Sequence, residues 1–318
     1  MTKIFFAFLL TFSIALPALA AAPLDVIFDT DMGNDVDDAL ALAMLHALAS
    51  RGEVKLLAVT VSKDNPWAAE YVRLVNEYYG RGAIPVGLVH DGKTRDDGLY
   101  VRQICELHGR HPGSTEDAVP LLRKTLAAEP DGAVTLIQVG FSTNLARLME
   151  SAPDQFSALS GMDLVKRKVR LLTVMAGNFA QPKPEYNVAT DVPAASKVFA
   201  SWPTDIYFSG FEIGEAILFP AASIEHDFPA GNPVAEAYRV YAKMPYDRPS
   251  WDLTTVLYDL RPDRGYFDIS QPGDVIVSPD GVTRFQPDAQ GRRYFLKVDP
   301  VQAARVREAC VWLASQPK

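Results

Sequence analysis

The chain has very little cysteine: its 318 residues include only Cys105 and Cys310. Two isolated cysteines cannot form a zinc-binding pattern, because such patterns repeat ligands at short, fixed spacings. An oxidising compartment would permit a disulfide between the two, and a pair of buried free thiols is the alternative. The sequence therefore excludes a cysteine-based zinc site and leaves the state of both thiols open.

The chain also has no long apolar run after its N-terminal segment, so no later part of it predicts a membrane span. The N-terminal segment has a basic residue at Lys3, an apolar stretch over residues 4–16 and small residues at Ala18 and Ala20. This pattern is typical of a secretory signal peptide cleaved after Ala20 or slightly later, and an uncleaved anchor is the alternative. We expect residues 1–20 to be removed and the mature protein to be secreted or periplasmic, without membrane contact.

Positive charge is in the minority, with 31 Lys and Arg against 39 Asp and Glu and a formal net charge of -8. This balance argues against nucleic acid as a partner, because binding to a phosphate backbone depends on positive charge. The chain shows no internal repeat, no low-complexity tract and no clear linker. We therefore expect residues 21–318 to form a single domain.

Apolar segments of strand length alternate with helical segments along most of the chain. The strand candidates are residues 26–28, 54–61, 84–89, 134–139, 169–175 and 206–208. This alternation predicts an α/β fold with an open, mainly parallel sheet flanked by helices. Residues 274–277 and 293–298, joined by turns that contain Pro and Gly, predict a small antiparallel addition near the C-terminus.

The most informative segment is an acid-rich corner that has five aspartates within residues 29–38. It lies between an apolar strand candidate and an almost wholly apolar helical stretch, where open α/β sheets keep their ligand crevices. Crowded carboxylates repel one another, and hard divalent cations such as calcium and magnesium prefer oxygen ligands. The corner predicts a metal site, with an acidic surface turn containing a helix cap as the alternative. An EF-hand is excluded, because the loop has Leu40 or Leu42 where that motif needs Glu.

Four further polar segments fall at or just after strand candidates, at the edge where parallel strands gather their carboxyl ends. They cover residues 60–65, 138–144, 177–191 and 248–252. The acids and amides of the third segment suit vicinal hydroxyls, because carboxylates accept hydrogen bonds and amides both donate and accept. Each segment also has a structural alternative, as a hydrophilic loop or a helix cap.

Taken together, these segments resemble the nucleoside hydrolases of the inosine–uridine-preferring type. The resemblance rests on the acid-rich corner, the segment 140–146, the triplet 185–187 and the late Asp252, which occur in that order. It covers most of the mature chain. It implies a calcium enzyme that hydrolyses the N-glycosidic bond of ribonucleosides to free base and ribose. It also implies a small-molecule ribonucleoside as the partner and a homodimer or homotetramer as the assembly.

The resemblance also implies roles for individual residues. Asp31 would bind calcium and serve as the general base that activates a metal-bound water. The other calcium ligands would be Asp38, the backbone carbonyl of Val139 and Asp252. The ribose hydroxyls would be held by Asp37, Asn65, Asn178, Glu185 and Asn187.

Two features depart from the family's pattern. Residues 34–36 lengthen the acid-rich corner, which leaves Asp35 without an assigned role. The family has His immediately before the late metal-binding Asp, where it helps to protonate the departing base, and this chain has Trp251. Because Trp cannot donate a proton of useful acidity, we expect Trp251 to stack on the base, to be core, or to leave activation to another group. Glu212, after the strand candidate 206–208, either reaches the pocket or forms a structural salt bridge.

Two other functions are compatible with the sequence. A magnesium phosphatase with a DxD start would use Asp29 as nucleophile and Asp31 as acid–base, and would need a later Lys and acidic pair. The only other adjacent pair of aspartates is Asp96 and Asp97. An exported nucleoside- or sugar-binding protein would use the same loops without turnover. Release of phosphate would identify the first, and ribose binding without hydrolysis the second.

Overall fold

The structure is a computed structural model that describes residues 22–316. The predicted signal peptide, residues 1–20, lies outside the described residues. The strands are β1 (Leu24–Thr30), β2 (Val54–Val61), β3 (Val86–Leu88), β4 (Glu116–Asp117), β5 (Val134–Gln138), β6 (Val169–Met175), β7 (Asp205–Ser209), β8 (Leu218–Phe219), β9 (Arg248–Pro249), β10 (Asp268–Ile269), β11 (Gly273–Val277), β12 (Thr283–Pro287) and β13 (Arg293–Lys297).

The helices surround these strands, and a short 3₁₀-helix covers Pro262–Arg264. They are α1 (Asp37–Ser50), α2 (Pro66–Tyr78), α3 (Val101–Leu107), α4 (Ala118–Ala128), α5 (Thr143–Glu150), α6 (Gly161–Lys168), α7 (Tyr186–Thr190), α8 (Val192–Ser201), α9 (Phe211–Glu215), α10 (Ala221–His226), α11 (Pro233–Tyr241), α12 (Trp251–Leu260) and α13 (Pro300–Ala314). Within residues 22–316, no helix has both the length and the apolar character needed to cross a membrane.

Eleven strands form one sheet in the order β12-β11-β13-β7-β6-β5-β1-β2-β3-β4, with β10 paired to β13. All neighbours from β13 through β1 to β4 are parallel, whereas β10, β11 and β12 pair antiparallel. The predicted α/β fold with a mainly parallel sheet is therefore confirmed. The C-terminal addition extends this sheet, because β13 pairs with β7 in parallel. A separate antiparallel ribbon joins β8 and β9.

The chain order reverses at β1, which lies in the middle of the sheet. The chain runs from β1 outward through β2, β3 and β4, and then returns so that β5 pairs with the other side of β1. A crevice opens outside the carboxyl ends of the strands at such a reversal, since the two connections leave in opposite directions. Asp31 follows β1 and Val139 follows β5, so both residues lie at this crevice.

Helix α1 is buried on all sides, which explains its continuous apolar sequence. Every residue from 37 to 48 is buried, and the helix packs against α12, α13 and β2. A helix without a polar face is stable only inside a core. The packing therefore holds the first turn of α1, with its two aspartates, inside the protein and beside the first turn of α12.

Both cysteines are buried free thiols, Cys105 in α3 and Cys310 in α13. Of the two alternatives that the sequence leaves open, the structure contains the free thiols. Burial raises the pKa of the Cys105 thiol to about 12, which keeps it protonated and poorly reactive near neutral pH.

Asp259, in α12, gives a testable link between burial and stability. Its Oδ1 accepts a hydrogen bond of 2.7 Å from Thr173 Oγ1 of β6, whereas its Oδ2 has no partner within the described residues. Burial raises the pKa of Asp259 from its ordinary 3.8 to about 7. The folded protein therefore keeps this proton in a pH range where the unfolded chain has lost it. The stability that it contributes is full below pH 3.8 and is lost as the pH rises to about 7.

We therefore expect Asp259→Asn to raise the free energy of unfolding by about 2 kcal/mol at pH 8. The pKa shift corresponds to a cost of roughly 4 kcal/mol for ionising Asp259 in the folded protein at pH 8, which the substitution removes. The new amide has an unpartnered polar group, which takes back about 1–3 kcal/mol of this gain. Urea denaturation of both proteins at pH 4 and pH 8 measures the effect. The gain should disappear at pH 4, and a difference that does not change with pH would contradict the assignment.

Candidate active site

A cavity of about 410 Å³ opens at the carboxyl ends of β1, β5 and β6. Its wall contains six carboxylates, one guanidinium, two amides and three aromatic rings. The lining residues are Asp31, Asn34, Asp35, Asp37, Asp38, Val139, Met175, Glu185, Tyr186, Asn187, Phe211, Arg248, Trp251 and Asp252. The acids come from three segments that are far apart in the sequence, namely residues 31–38, Glu185 and Asp252, and the fold brings them to one crevice.

The tightest group of acids in the cavity consists of Asp37, Asp38 and Asp252. One carboxylate oxygen of each lies within 4.8 Å of the others, and all three side chains are buried. Asp37 and Asp38 occupy the first turn of α1, and Asp252 occupies the first turn of α12. The two turns are tied directly, because the Asp252 backbone N–H donates to Asp37 Oδ2 at 3.1 Å. Asp252 is thus part of the acidic group and does not cap its helix.

Burial, followed by repulsion between the neighbouring carboxylates, raises the pKa of Asp37, Asp38 and Asp252 well above the ordinary 3.8. Ionising all three therefore needs a compensating positive charge. An all-oxygen donor set of this kind suits a hard divalent cation. The Val139 carbonyl on the same wall accepts one hydrogen bond, of 2.8 Å from Asn187 Nδ2, and keeps a second lone pair. The residues present therefore fit a bound metal ion.

Asp31 lines the same cavity beside this acidic group, and its carboxylate is held by a chain of hydrogen bonds. Asn34 Nδ2 donates to Asp31 Oδ2 at 2.6 Å. The Asn34 carbonyl in turn accepts from Lys63 Nζ, and this ammonium is fully buried and donates to Asp96 at 2.8 Å. Burial raises the pKa of Asp31 to about 6, against the lowering effects of the Asn34 hydrogen bond and the Lys63 charge. The chain of contacts fixes the direction of the Asp31 carboxylate.

Gly140 allows the strand ends to approach closely. A Cβ atom at this position would lie 2.5 Å from the Asp31 backbone nitrogen, a separation that real Cβ atoms do not tolerate. The backbone after β5 can therefore pass directly beside the acid-rich corner only with glycine there. This is how the Val139 carbonyl reaches the same cavity as Asp31.

Three of the five residues expected to hold ribose, Asp37, Glu185 and Asn187, line the cavity. The Glu185 carboxylate caps α7 and accepts hydrogen bonds from the backbone N–H groups of Gly177 at 3.1 Å and Asn187 at 2.8 Å. Burial raises the pKa of Glu185 to about 7. The Asn187 amide donates to the backbone carbonyls of Val139 and Met175. Both side chains are therefore fixed in position before any ligand binds.

The other two expected ribose ligands, Asn65 and Asn178, are not among the residues that line this cavity. Asn65 caps α2, because its Oδ1 accepts from the Trp67 backbone N–H at 2.8 Å. Its Nδ2 donates to the backbone carbonyl of Asp96 at 2.9 Å. Asn178 Oδ1 closes a local turn by accepting from the Gln181 backbone N–H at 2.8 Å. Both amides contact backbone groups in this structure, and their contact with ribose stays a prediction.

Trp251 lies on the cavity wall with Phe211 and Arg248. Its Nε1 donates to the Phe211 carbonyl at 2.8 Å, and the two rings are 5.3 Å apart. The Arg248 guanidinium lies 5.3 Å from the centroid of the Trp251 ring. Arg248 Nε donates to Asp35 Oδ1 at 3.0 Å, and Nη2 donates to Asp35 Oδ2. Asp35, which had no role assigned from the sequence, therefore holds Arg248 against the indole.

Two further acids that the sequence singled out lie outside this wall. Glu212 accepts a hydrogen bond from the Phe179 backbone N–H at 3.2 Å, and none of the ion pairs between described residues includes it. Asp29 is fully buried, and its Oδ2 accepts from Thr60 Oγ1 at 2.6 Å and Asn144 Nδ2 at 2.8 Å. A phosphatase nucleophile at Asp29 therefore does not fit, because this carboxylate does not face the cavity.

The sequence missed Asn34, Lys63 and Phe211 as parts of the site, and it named Arg248 only as a neighbour. Lys63 lies in the polar segment after β2, and Phe211 follows β7, so position at a strand end was a signal for both. Nothing in the spacing indicates that Lys63 reaches Asn34, since that contact joins two different loops.

Comparison with known proteins gives one consistent result. The family model described as inosine-uridine preferring nucleoside hydrolase matches residues 26–305. The pyrimidine-specific ribonucleoside hydrolase RihA of Enterobacter sp. (strain 638) is 31% identical over 230 residues, which are 67% of this chain and 67% of that protein. RihA of Citrobacter koseri is 29% identical over 230 residues, 67% and 68% of the two chains.

Solved structures show the same fold. The plant nucleoside hydrolase PpNRh1 superposes with a TM-score of 0.71 at 22% identity, over 93% of this chain and 100% of the other. The inosine-uridine preferring nucleoside hydrolase of Bacillus anthracis superposes with a TM-score of 0.68 at 20% identity, over 92% and 99%. At these identities the likeness concerns the arrangement of strands and helices.

Proposed function

The chain belongs to the inosine-uridine preferring nucleoside hydrolase family, and from that premise we propose that it hydrolyses ribonucleosides with calcium bound in the cavity described above. Membership makes the protein an enzyme that hydrolyses nucleosides. The identity of the metal, the residues that hold it and the group that activates water are the proposal. The observation that carries it is the convergence of Asp37, Asp38 and Asp252 within 4.8 Å, in the cavity that Asp31 also lines.

The cation would be held by the carboxylates of Asp38 and Asp252, with Asp31, Asp37 and the Val139 carbonyl on the same wall. When bound, it supplies positive charge that keeps these acids ionised and makes a coordinated water more acidic. Calcium is favoured over magnesium because the wall offers many protein oxygen donors, and calcium takes six to eight such ligands whereas magnesium usually keeps several waters.

Asp31 is the residue placed to accept the proton of the attacking water. Its carboxylate lines the cavity and is oriented by the Asn34 amide, so it does not need to reorganise during the reaction. The transition state of N-riboside cleavage carries positive charge on the sugar. The remaining carboxylates of the cavity stabilise that charge as it develops. Glu185 and Asn187, fixed by backbone contacts, orient the ribose.

A panel of nucleosides tests this proposal. The mature protein is dialysed against chelator, supplied with calcium, magnesium or neither, and incubated with inosine, adenosine, uridine and cytidine. We expect release of free base and ribose with calcium and little release without it. Failure to cleave any nucleoside would contradict the proposed reaction. Activity that persists in chelator would contradict the proposed role of the metal.

A binding protein without turnover, the alternative that the sequence left open, is not favoured. A family of hydrolases matches nearly the whole described chain, and the proposed general base, Asp31, lines the cavity with its carboxylate held by Asn34. Binding of ribose or nucleoside with no products in the panel would reinstate that alternative.

We also propose that the protein acts outside the cytoplasm after loss of residues 1–20, and that it assembles as a homodimer or homotetramer. The signal pattern at Lys3, Ala18 and Ala20 supports the first statement. N-terminal sequencing of protein secreted by a bacterial host tests it, and sedimentation analysis of the mature protein tests the second.

A further inference from the structure

Two unusual features of this chain meet in one contact on the cavity wall. Asp35 lies in the lengthened part of the acid-rich corner, and Trp251 occupies the position before the late aspartate. Arg248 connects them, because its Nε donates to Asp35 at 3.0 Å and its guanidinium lies 5.3 Å from the Trp251 ring centroid. We propose that Arg248, held by Asp35 and Trp251, donates the hydrogen bond that stabilises the departing base. The inference rests on the proposed function.

Most other side-chain N–H groups on the wall are already used. The Trp251 indole donates to a backbone carbonyl at 2.8 Å, so it stacks without donating to a ligand. The Asn34 amide donates to a carboxylate at 2.6 Å, and the Asn187 amide donates to two backbone carbonyls. Among the side chains that line the cavity, the donors left for a ligand are Nη1 of Arg248, the second N–H of the Asn34 amide and the hydroxyl of Tyr186. The Asn34 amide is held at the Asp31 carboxylate, and the Tyr186 side chain is 55% exposed, so Arg248 is the donor beside the Trp251 ring.

The surroundings of Arg248 prepare it for this role. The planar guanidinium contacts two aromatic rings, with its carbon 5.1 Å from the centroid of Tyr241 and 5.3 Å from that of Trp251. The ion pair with Asp35 fixes two of its nitrogens and leaves the third directed elsewhere.

The same ion pair defines the class of ligand. Asp35 already neutralises the guanidinium charge, and the other charged groups of the cavity wall are carboxylates. A phosphate group would therefore meet net negative charge, whereas a neutral base with a carbonyl oxygen or ring nitrogen needs only a donor. The wall suits neutral purine or pyrimidine ribonucleosides and disfavours nucleotides.

The reaction step balances without proton donation from arginine. The bond between the anomeric carbon and the base nitrogen breaks, and its electron pair leaves with the base. A water oxygen forms the new bond to that carbon, and the water proton passes to Asp31. The departing base gains negative charge, which the Arg248 N–H stabilises, and it takes its proton from bulk water afterwards. Arginine cannot release its own proton near neutral pH, so its contribution is electrostatic.

The decisive experiment compares two leaving groups in wild type and Arg248→Met. Inosine and uridine release poor leaving groups, whereas 4-nitrophenyl β-D-ribofuranoside releases a nitrophenolate whose charge is already delocalised. We expect kcat for the nucleosides to fall about 100-fold, as when a single donor to a developing anion is lost. For the nitrophenyl riboside we expect kcat to change by less than about 3-fold, because its departure needs no donor.

Three further variants separate this role from a structural one. Asp35→Asn combined with Arg248→Met removes both charges of this ion pair, so neither is left without its partner, and it should give the same selective loss. Tyr186→Phe removes the competing donor and should leave the ratio of the two substrates unchanged. Arg305→Met, which removes another arginine packed over a tyrosine ring, is the matched control outside the cavity.

An equal loss on both substrates in Arg248→Met, no loss on either, or a selective loss in Tyr186→Phe instead would each overturn the inference. A wild-type protein that cleaves neither substrate would overturn the proposed function, and this inference with it. Cleavage of both by wild type secures the function, whatever the variants then show about Arg248.

Discussion

Asp31→Asn is expected to lower kcat for nucleoside hydrolysis by about 10³-fold, within the range that a positioned general base contributes. The Asn side chain keeps a carbonyl oxygen where a carboxylate oxygen was, so it can still contact a cation or a ribose hydroxyl. It cannot accept the proton of the attacking water. The loss should therefore appear in kcat, with KM changed by less than about 5-fold.

The matched control for this variant is Asp29→Asn, which makes the same substitution two residues earlier. Asp29 is buried away from the cavity, and its Oδ2 accepts from Thr60 and Asn144. Burial raises the pKa of Asp29 to about 7, so a neutral amide resembles the acid form that the site tolerates. We expect Asp29→Asn to keep at least about a third of the activity, since it touches nothing that reacts.

Steady-state kinetics of the two variants, with isothermal titration of a slowly cleaved nucleoside, measures both parameters. Nucleoside binding should survive in Asp31→Asn. If Asp29→Asn is the inactive variant and Asp31→Asn is active, the carboxylate pair works in the order that a DxD phosphatase requires, and the assignment of the base is wrong.

The sequence was sufficient for those parts of the site that depend on strand order. Asp31 and Val139 each follow a continuous apolar segment, and both segments are strands of the parallel sheet. Parallel strands place their carboxyl ends on one edge, so residues after β1 and β5 had to lie near each other. The two strands are in fact neighbours, with Asp29 paired to Gln138. The alternation of strand and helix candidates therefore predicted the edge of the sheet at which the cavity lies.

The direction of individual side chains could not be predicted in the same way. Asn65 lies at a strand end like Asp31, but an Asn before Pro66 is also a strong helix cap. The unsatisfied backbone N–H groups of α2 are local and always present, and they take its side chain. An Asn can cap a helix or contact a ligand, and only the path of the loop decides which of the two its side chain does.

Contacts between distant loops were also beyond the sequence. Asp35 and Arg248 are 213 positions apart, and neither charge has a periodic pattern around it. Their pairing follows from the packing of α1 against α12, which brings the loops before both helices together. In the same way, residues 293–298 predicted a strand, but only the intervening β11–β12 hairpin decides that β13 pairs with β7 in parallel.

Asp252→Asn is expected to change the stability of the protein in opposite directions with and without calcium. Burial and repulsion by Asp37 and Asp38 raise the pKa of Asp252 well above its ordinary 3.8. At pH 8 without metal, the folded protein must either ionise this group or hold a proton that the unfolded chain has released. Both cost stability. Removing the charge should therefore raise the free energy of unfolding of the metal-free protein by about 1–3 kcal/mol.

With saturating calcium, wild type should become more stable than Asp252→Asn, the reverse of the order without metal. A ligand at 1,000 times its dissociation constant stabilises the folded state by about 4 kcal/mol. Wild type should gain this amount, and the variant little of it, because a neutral amide is a weaker ligand than a carboxylate in an all-oxygen site. Activity should fall by at least about 10³-fold in the variant. Urea denaturation at pH 8 in chelator and in calcium gives the four free energies.

Asp259→Asn is the control that makes this reversal interpretable, since it replaces the other buried acid of the same helix. Its carboxylate contacts Thr173 in β6 and is not part of the acidic group. Its stabilisation at pH 8 should therefore be the same in chelator and in calcium. If Asp252→Asn also shifts equally in both conditions, Asp252 is a buried acid like Asp259 and does not bind the metal. A carboxylate that binds the metal destabilises the fold when the cation is absent and stabilises it when the cation is bound. Only such a group can make the effect of the substitution on the free energy of unfolding change sign.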